Sequence, residues 1–442
     1  MTTDWLHCPM SYAVYKFQPE IGSFSACCDA NGYDFDLKTF QELGNDYFEK
    51  HPMLIQRKTS LFNSKRHSDC SQCWQKEDMG LSSMRQEQGS EYNTLFNNHH
   101  LEFDTAYPGR FELWMNSTCN LGCFMCHLGN SNTLRKIWKT DKDIRGYDGI
   151  GYDLSLMKSD FGKHNQHGLF VDAMLAFITK HLREVKLYDL TVAYLGGEPT
   201  LHSEMYEHAD LFIEAGRQAI LDGKRLTIEI TTNGTSKDKL NERFYKMFEK
   251  YKSAGWRVTM KLSQDSAGEF AQVRHGSDFE QIKRNFGNWI NKDSAVDKVD
   301  SFTVVSGINL PYIDTMAEYI EDVVNSHYSG TTKLAIHFNA LIDPEWMQVK
   351  YLPKHFVTQP FNKADAIFTA LSDTHPDIYY NQSLFRNITG TTIATVAPED
   401  AAFFFEKLDY INTVYKKTYP NWNFFETFPH LNEYATEYGI IV

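Results

Sequence analysis

No cysteine follows Cys126. The eight in this chain of 442 residues stand at 8, 27, 28, 70, 73, 119, 123 and 126. A disulfide-stapled secreted protein of this length would scatter them, so clustering in a reducing compartment points to metal ligation instead. Long apolar runs are also missing: none approaches the roughly 18 residues of a membrane span. The opening Met1-Thr2-Thr3-Asp4-Trp5 has neither the basic region nor the apolar stretch of a signal peptide. Basic residues are in deficit, 44 Lys and Arg against 57 Asp and Glu, for a net charge of −13. That balance argues against long nucleic acid as a partner gripped by charge, although a local basic groove stays open. These absences predict a cytoplasmic protein with no membrane partner.

Apolar residues make up 42% and charged residues 23%, ordinary values for a globular protein with room for two or three domains. The most informative stretch is Ser117-Thr118-Cys119-Asn120-Leu121-Gly122-Cys123-Phe124-Met125-Cys126, spaced C-x3-C-x2-C. Three thiolates this close can hold an iron–sulfur cluster while supplying only three of the four ligands that a cubane needs. The iron left open is where chemistry can occur. The plainer alternatives are zinc or buried thiols, but zinc sites usually show paired C-x2-C units.

From Arg110 onward strand-like and helix-like segments alternate. Strands are expected over 110–115, 190–195, 226–232, 257–262, 301–305 and 333–338. Helices are expected over 169–184, 208–222, 240–254, 279–290 and 313–324. Six such units predict an α/β fold, a partial (β/α)6 barrel over 106–345 with its working end at the strand C-termini. Before it, 1–105 reads as a small cysteine-rich module, weakly patterned, with strand-like pieces at 11–17 and 23–28 and a polar linker over 91–106. After it, 346–442 reads as a mostly helical extension, with helices suggested at 401–407 and 410–415.

The cysteine run resembles the signature of the radical SAM superfamily. The family commonly has an aromatic residue before the third cysteine, where this chain has Met125. The resemblance implies a radical SAM barrel whose [4Fe–4S] cluster is held by Cys119, Cys123 and Cys126 as the catalytic centre. Its open iron would chelate S-adenosyl-L-methionine, and a reducing partner such as flavodoxin or ferredoxin would supply the electron. Reductive cleavage would yield a 5′-deoxyadenosyl radical. Gly196-Gly197-Glu198-Pro199, at the end of the second strand, matches the family turn that holds the amino group of S-adenosylmethionine; an ordinary glycine turn is the alternative. Asn233 in Thr232-Asn233-Gly234, Ser263 in Ser263-Gln264-Asp265 and Arg274 resemble further cofactor contacts, Ser263 toward the ribose and Arg274 toward the carboxylate. Each could equally be structural. Tyr194 reads as a core aromatic.

A second constellation comprises Cys8, Cys27-Cys28 and Cys70-Ser71-Gln72-Cys73-Trp74, followed by Glu77, Gly80, Ser82, Ser83 and Arg85. It resembles the twitch module, a shortened relative of SPASM domains, placed here ahead of the barrel. The resemblance implies an auxiliary [4Fe–4S] cluster on Cys8, Cys27, Cys70 and Cys73, with Cys27 favoured over Cys28. A zinc ribbon on the same thiols is the alternative. Twitch and SPASM members often modify a peptide or protein side chain, which makes that the first expectation for the substrate. A small metabolite, nucleotide or modified base is the second, and a non-catalytic iron–sulfur electron carrier the third.

Overall fold

The computed structural model describes residues 8–27, 30, 32–78, 83–86, 106–126, 128–139, 166–341, 344–390 and 395–441. Its strands are β1 (Val14–Gln18), β2 (Ser23–Ser25), β3 (Tyr33–Asp34), β4 (Arg110–Leu113), β5 (Gly122–Cys123), β6 (Asp189–Tyr194), β7 (Arg225–Thr232), β8 (Arg257–Ser263), β9 (Arg274–His275), β10 (Lys298–Val305), β11 (Lys333–Ala340) and β12 (Ile378–Tyr380). Ten of them form one sheet in the order β12-β11-β10-β8-β7-β6-β4-β1-β2-β3. β5 and β9 form a separate antiparallel pair.

The centre of the sheet is a run of parallel neighbours, β4, β6, β7, β8, β10 and β11. Helices Gln166–Arg183, Ala209–Leu221, Asp238–Ser253, Phe279–Ile290 and Ile313–His327 lie between them in the chain. Parallel neighbours need such crossovers, because a tight turn cannot return the chain to the starting end. The expected strands and helices of this stretch therefore appear, with ends shifted by a few residues, and the fold is α/β with a parallel sheet.

The two faces of the sheet differ sharply. Leu113, Tyr194, Ile230, Met260, Val299 and Leu334 are aligned across the six strands, and all are buried. The opposite face carries charge. Arg110 donates from Nε to Glu112 at 2.8 Å and from Nη2 to Glu229 at 2.5 Å. Lys261 reaches Glu229 at 3.0 Å, and Asp300 takes Lys298 at 2.8 Å. Burial alone would raise the Glu229 carboxyl, but the Arg110 and Lys261 cations hold it well below the usual range. A two-layer sandwich would cover such a face with apolar helices. This face instead remains polar, with Lys261, Ser263 and His337 only half-buried.

Three features differ from the sequence expectations. First, β1 pairs in parallel with β4, Val14 opposite Arg110 through Phe17 opposite Leu113, so the N-terminal segment extends the same sheet. Second, residues 1–90 contain regular helices, including Leu37–Leu43, Pro52–Phe62 and Ser71–Asp78. The helix Pro52–Phe62 buries Leu54, Arg57, Lys58 and Leu61. Two of its four inward positions are basic, which hides the helical stripe from a hydrophobicity reading. Third, β12 adds a parallel strand beyond β11. At three residues it is too short to show alternation. One helix, Pro398–Thr418, spans the two suggested at 401–407 and 410–415. The expected linker, but for its last residue, lies outside the described residues. None of the described helices is long and apolar enough to cross a membrane.

Candidate active site

β4 ends at Leu113, and the chain then enters the cysteine loop at the C-terminal end of the sheet. The loop is fixed mostly by its own backbone groups. Cys119 N–H donates to Asn132 Oδ1 at 3.1 Å, and Thr133 Oγ1 donates to the Cys119 carbonyl at 2.7 Å. Leu121 N–H points at Cys119 Sγ at 3.5 Å. Cys126 N–H returns to the Cys123 carbonyl at 3.1 Å. Cys123 is buried, whereas Cys119 and Cys126 are half-buried. Burial pushes the Cys123 thiol well up; Arg274 opposes the shift, and Cys126 and Cys119 add to it.

The Gly196-Gly197-Glu198-Pro199 turn packs directly on this loop. Gly196 and Gly197 have φ of 74° and 58°, the left-handed region that favours glycine. A Cβ on Gly197 would sit 2.5 Å from the Thr118 carbonyl oxygen and 2.9 Å from that of Asn116. Glycine is therefore required for close approach to the cysteine loop itself. Glu198 N–H donates to the Thr118 carbonyl at 2.8 Å. The Glu198 carboxylate is buried and accepts from Thr200 Oγ1, Thr232 Oγ1 and Asn233 N–H, each at 2.7 Å. Its side chain ties the turn to the end of β7. Pro199 begins a short 3-10 turn and is buried.

Asn233 extends the same network. Its Nδ2 donates to Asn120 Oδ1 at 2.9 Å, and Asn120 Nδ2 donates to Thr235 Oγ1 at 2.7 Å. The turn after β7 and the cysteine loop are thus laced together. Ser263 ends β8, half-buried on the polar face. Arg274 is opposite Cys123 in the β5–β9 pair and forms a 2.7 Å ion pair with the fully buried Asp265. Asp265 Oδ1 also accepts from Val304 N–H at 2.8 Å. Sequence reasoning singled out Ser263 in this segment and passed over Asp265, although an acid two residues past a strand end and a basic residue nine further on is a readable pair. Tyr194 is buried, its hydroxyl 3.2 Å from His208 Nδ1.

The helix Pro398–Thr418 closes the back of the loop. Tyr415 donates its hydroxyl to the Gly122 carbonyl at 2.6 Å. Phe124 meets the rings of Tyr415, Trp422 and Phe424 at 4.9, 5.9 and 5.2 Å. His275 stands 4.4 Å from Tyr419 and 4.7 Å from Trp422, and burial pushes its imidazole down to about 4.

Cys8, Cys27, Cys70 and Cys73 line one pocket, with Met10, Ser11, Ala30 and Arg85. Cys28 lies outside the described residues, as do Gly80 and Ser82. Arg85 pairs with Glu77 at 2.7 Å, and Ser83 Oγ donates to the same carboxylate at 2.5 Å. The guanidinium of Arg85 stands 5.2 Å from the Trp74 ring centre. Burial pushes the Cys70 thiol up to about 12, against the influence of Arg57. Among the described residues, no three His, Cys, Asp or Glu side chains converge on a single metal-ion position.

Residues 115–320 match the sequence family described as the Radical SAM superfamily. No curated protein matches the chain. Among solved structures it is similar to "Native anSMEcpe with bound AdoMet", at 17% identity and a TM-score of 0.39, over 62% of this chain and 63% of that one. It is likewise similar to "Native anSMEcpe with bound AdoMet and Kp18Cys peptide", at 17% identity and a TM-score of 0.38, over 61% of this chain and 63% of that one. The chain thus spans less than two thirds of the length of either.

Proposed function

We propose, from the match of residues 115–320 to the Radical SAM superfamily, that the chain is an enzyme in which Cys119, Cys123 and Cys126 hold a [4Fe–4S] cluster against which S-adenosylmethionine is bound. With both groups in place, such a site supplies one-electron cleavage of the sulfonium to methionine and a 5′-deoxyadenosyl radical that abstracts hydrogen from the substrate. The observation that carries the reading is the packing of Gly197 on the Thr118 carbonyl. It sets the GGEP turn beside an all-sulfur donor loop with three ligands, the set that leaves one iron for a non-protein ligand.

The residues divide the work. Cys119, Cys123 and Cys126 supply thiolates. Gly196, Gly197 and Pro199 shape the backbone cradle, and Glu198 and Asn233 hold it to β7 and Asn120. Ser263, at the end of β8, and Arg274, paired with Cys123 across β5 and β9, would add cofactor contacts. The open strand order of the sheet supports a partial barrel, with the charged face as its lining. That face, with Arg110, Lys261, Asp300 and His337, suits a polar substrate such as a side chain of a peptide or protein. The reaction draws its electron from a reducing partner such as flavodoxin or ferredoxin in a reducing cytoplasm. The four-cysteine pocket provides an all-thiolate donor set for an auxiliary [4Fe–4S] cluster.

The test is anaerobic reconstitution followed by reduction with dithionite in the presence of S-adenosylmethionine. The wild type should release 5′-deoxyadenosine. Replacing Cys119, Cys123 and Cys126 by Ala should abolish that release and remove about four irons, one cubane's worth, while auxiliary iron stays. Wild-type protein that is fully loaded with iron yet releases no 5′-deoxyadenosine would rule the proposal out.

A further inference from the structure

The helix Pro52–Phe62 delivers an arginine into the wall beside the four-cysteine pocket. Arg57 is fully buried, with 0% exposure. Its Nη2 donates to the Ala26 carbonyl at 2.5 Å, on the peptide leading into Cys27. The guanidinium carbon stands 5.7 Å from the centre of the Tyr33 ring. Tyr33 itself donates to Asp69 at 2.7 Å, one residue before Cys70. Nε and Nη1 of Arg57 are buried with no hydrogen-bond partner among the described residues.

A buried guanidinium keeps its proton and therefore its charge. Two unpaired N–H-bearing atoms on a buried cation are costly unless something anionic or hydrogen-bond-accepting lies beside them. A pocket of neutral thiols offers little compensation. Four thiolates around a cluster offer net negative charge and sulfur acceptors. Resting on the auxiliary-cluster reading above, we propose that Arg57 is a positioning and charge-compensating residue for that cluster, holding the Cys27 peptide and raising the cluster's reduction potential. A nearby cation favours the more negative, reduced form, and net charge and hydrogen bonding to sulfur are what set such potentials.

The test uses full-length protein carrying Cys119→Ala, Cys123→Ala and Cys126→Ala, reconstituted so that only the auxiliary site is loaded. Its redox titration, followed by electron paramagnetic resonance, is compared with that of the same protein bearing Arg57→Gln or Arg57→Lys. At the parent midpoint, Arg57→Gln should lower the reduced-to-oxidised ratio at least tenfold, about 59 mV for one electron. Arg57→Lys, which keeps the charge, should lie nearer the parent. Loss of iron in the Gln variant with retention in the Lys variant supports the same conclusion. An unchanged ratio at full iron content in the Gln variant overturns the role of Arg57 alone. So does equal iron loss in both variants with the far-ultraviolet circular dichroism intact. A parent that binds zinc, or no metal, overturns the cluster reading and the proposal with it.

Discussion

Replacing Gly197 by Ala tests how the site is assembled. Two costs are separable at this position. The left-handed backbone, φ 58°, disfavours any residue with a Cβ by about 1–2 kcal/mol. The Cβ would also meet the carbonyl oxygens of Thr118 at 2.5 Å and Asn116 at 2.9 Å. Both obstacles are backbone atoms and neither can swing aside, so overpacking adds about 1–3 kcal/mol. The total is about 2–5 kcal/mol, and relief requires the cysteine loop to move. Gly223 provides the control: its φ is 77°, but a Cβ there has no neighbour within 4 Å. Gly223→Ala should therefore incur only the backbone cost, about 1–2 kcal/mol. Urea unfolding followed by tryptophan fluorescence gives the stabilities, and iron analysis after reconstitution reports the loop. Gly197→Ala should be the less stable variant by the clash contribution and should lose triad iron, whereas Gly223→Ala should keep it. If the two variants match in both measurements, the close approach of the turn to the cysteine loop is not what glycine serves here.

Two further outcomes follow from the C-terminal closure. Tyr415→Phe removes the hydroxyl bond to the Gly122 carbonyl, which should lower stability by about 1 kcal/mol and speed iron loss to a chelator; an unchanged loss rate would contradict the closure. His275 is held neutral, its value pushed down to about 4 from 6.5 by burial. The unfolded chain therefore binds the proton first, so this stability is present above pH 6.5 and is lost as pH falls toward 4. Between pH 7 and pH 5 the loss is about 2 kcal/mol. His275→Phe should shrink the fall in urea stability over that interval by a similar amount in cluster-free protein, and an identical fall in both proteins would refute the assignment.

Much of this architecture is legible in the residues alone, and what is hidden has physical reasons. The central strands are buried on one face by unbroken apolar positions such as Leu190, Val192 and Tyr194, which makes them conspicuous. The two cysteine groups stand out because their spacings, C-x3-C-x2-C and Cys70-x2-Cys73, are local in sequence. The helix carrying Arg57 and Lys58 is concealed because cations occupy its inward stripe. Glu198 is another case: its type and place suggest a ligand contact, whereas its carboxylate is taken up by Thr200, Thr232 and Asn233. The bond from Tyr415 to Gly122 spans 293 residues. No local pattern encodes such a contact, and it exists only once the helix Pro398–Thr418 has docked.

The parallel pairing of β1 with β4 works as a ruler. Cys8 precedes β1, and Cys27 follows β2, which runs back antiparallel to the same end. The triad departs from the other end of β4. Four paired positions, Val14 with Arg110 through Phe17 with Leu113, separate the two ends. At about 3.3 Å per residue that is roughly 13 Å of hydrogen-bonded spacer. The gauge is digital. One residue inserted in β4 would send every following side chain to the wrong face of the sheet. Two would restore the faces but carry the triad about 7 Å further from the other thiols.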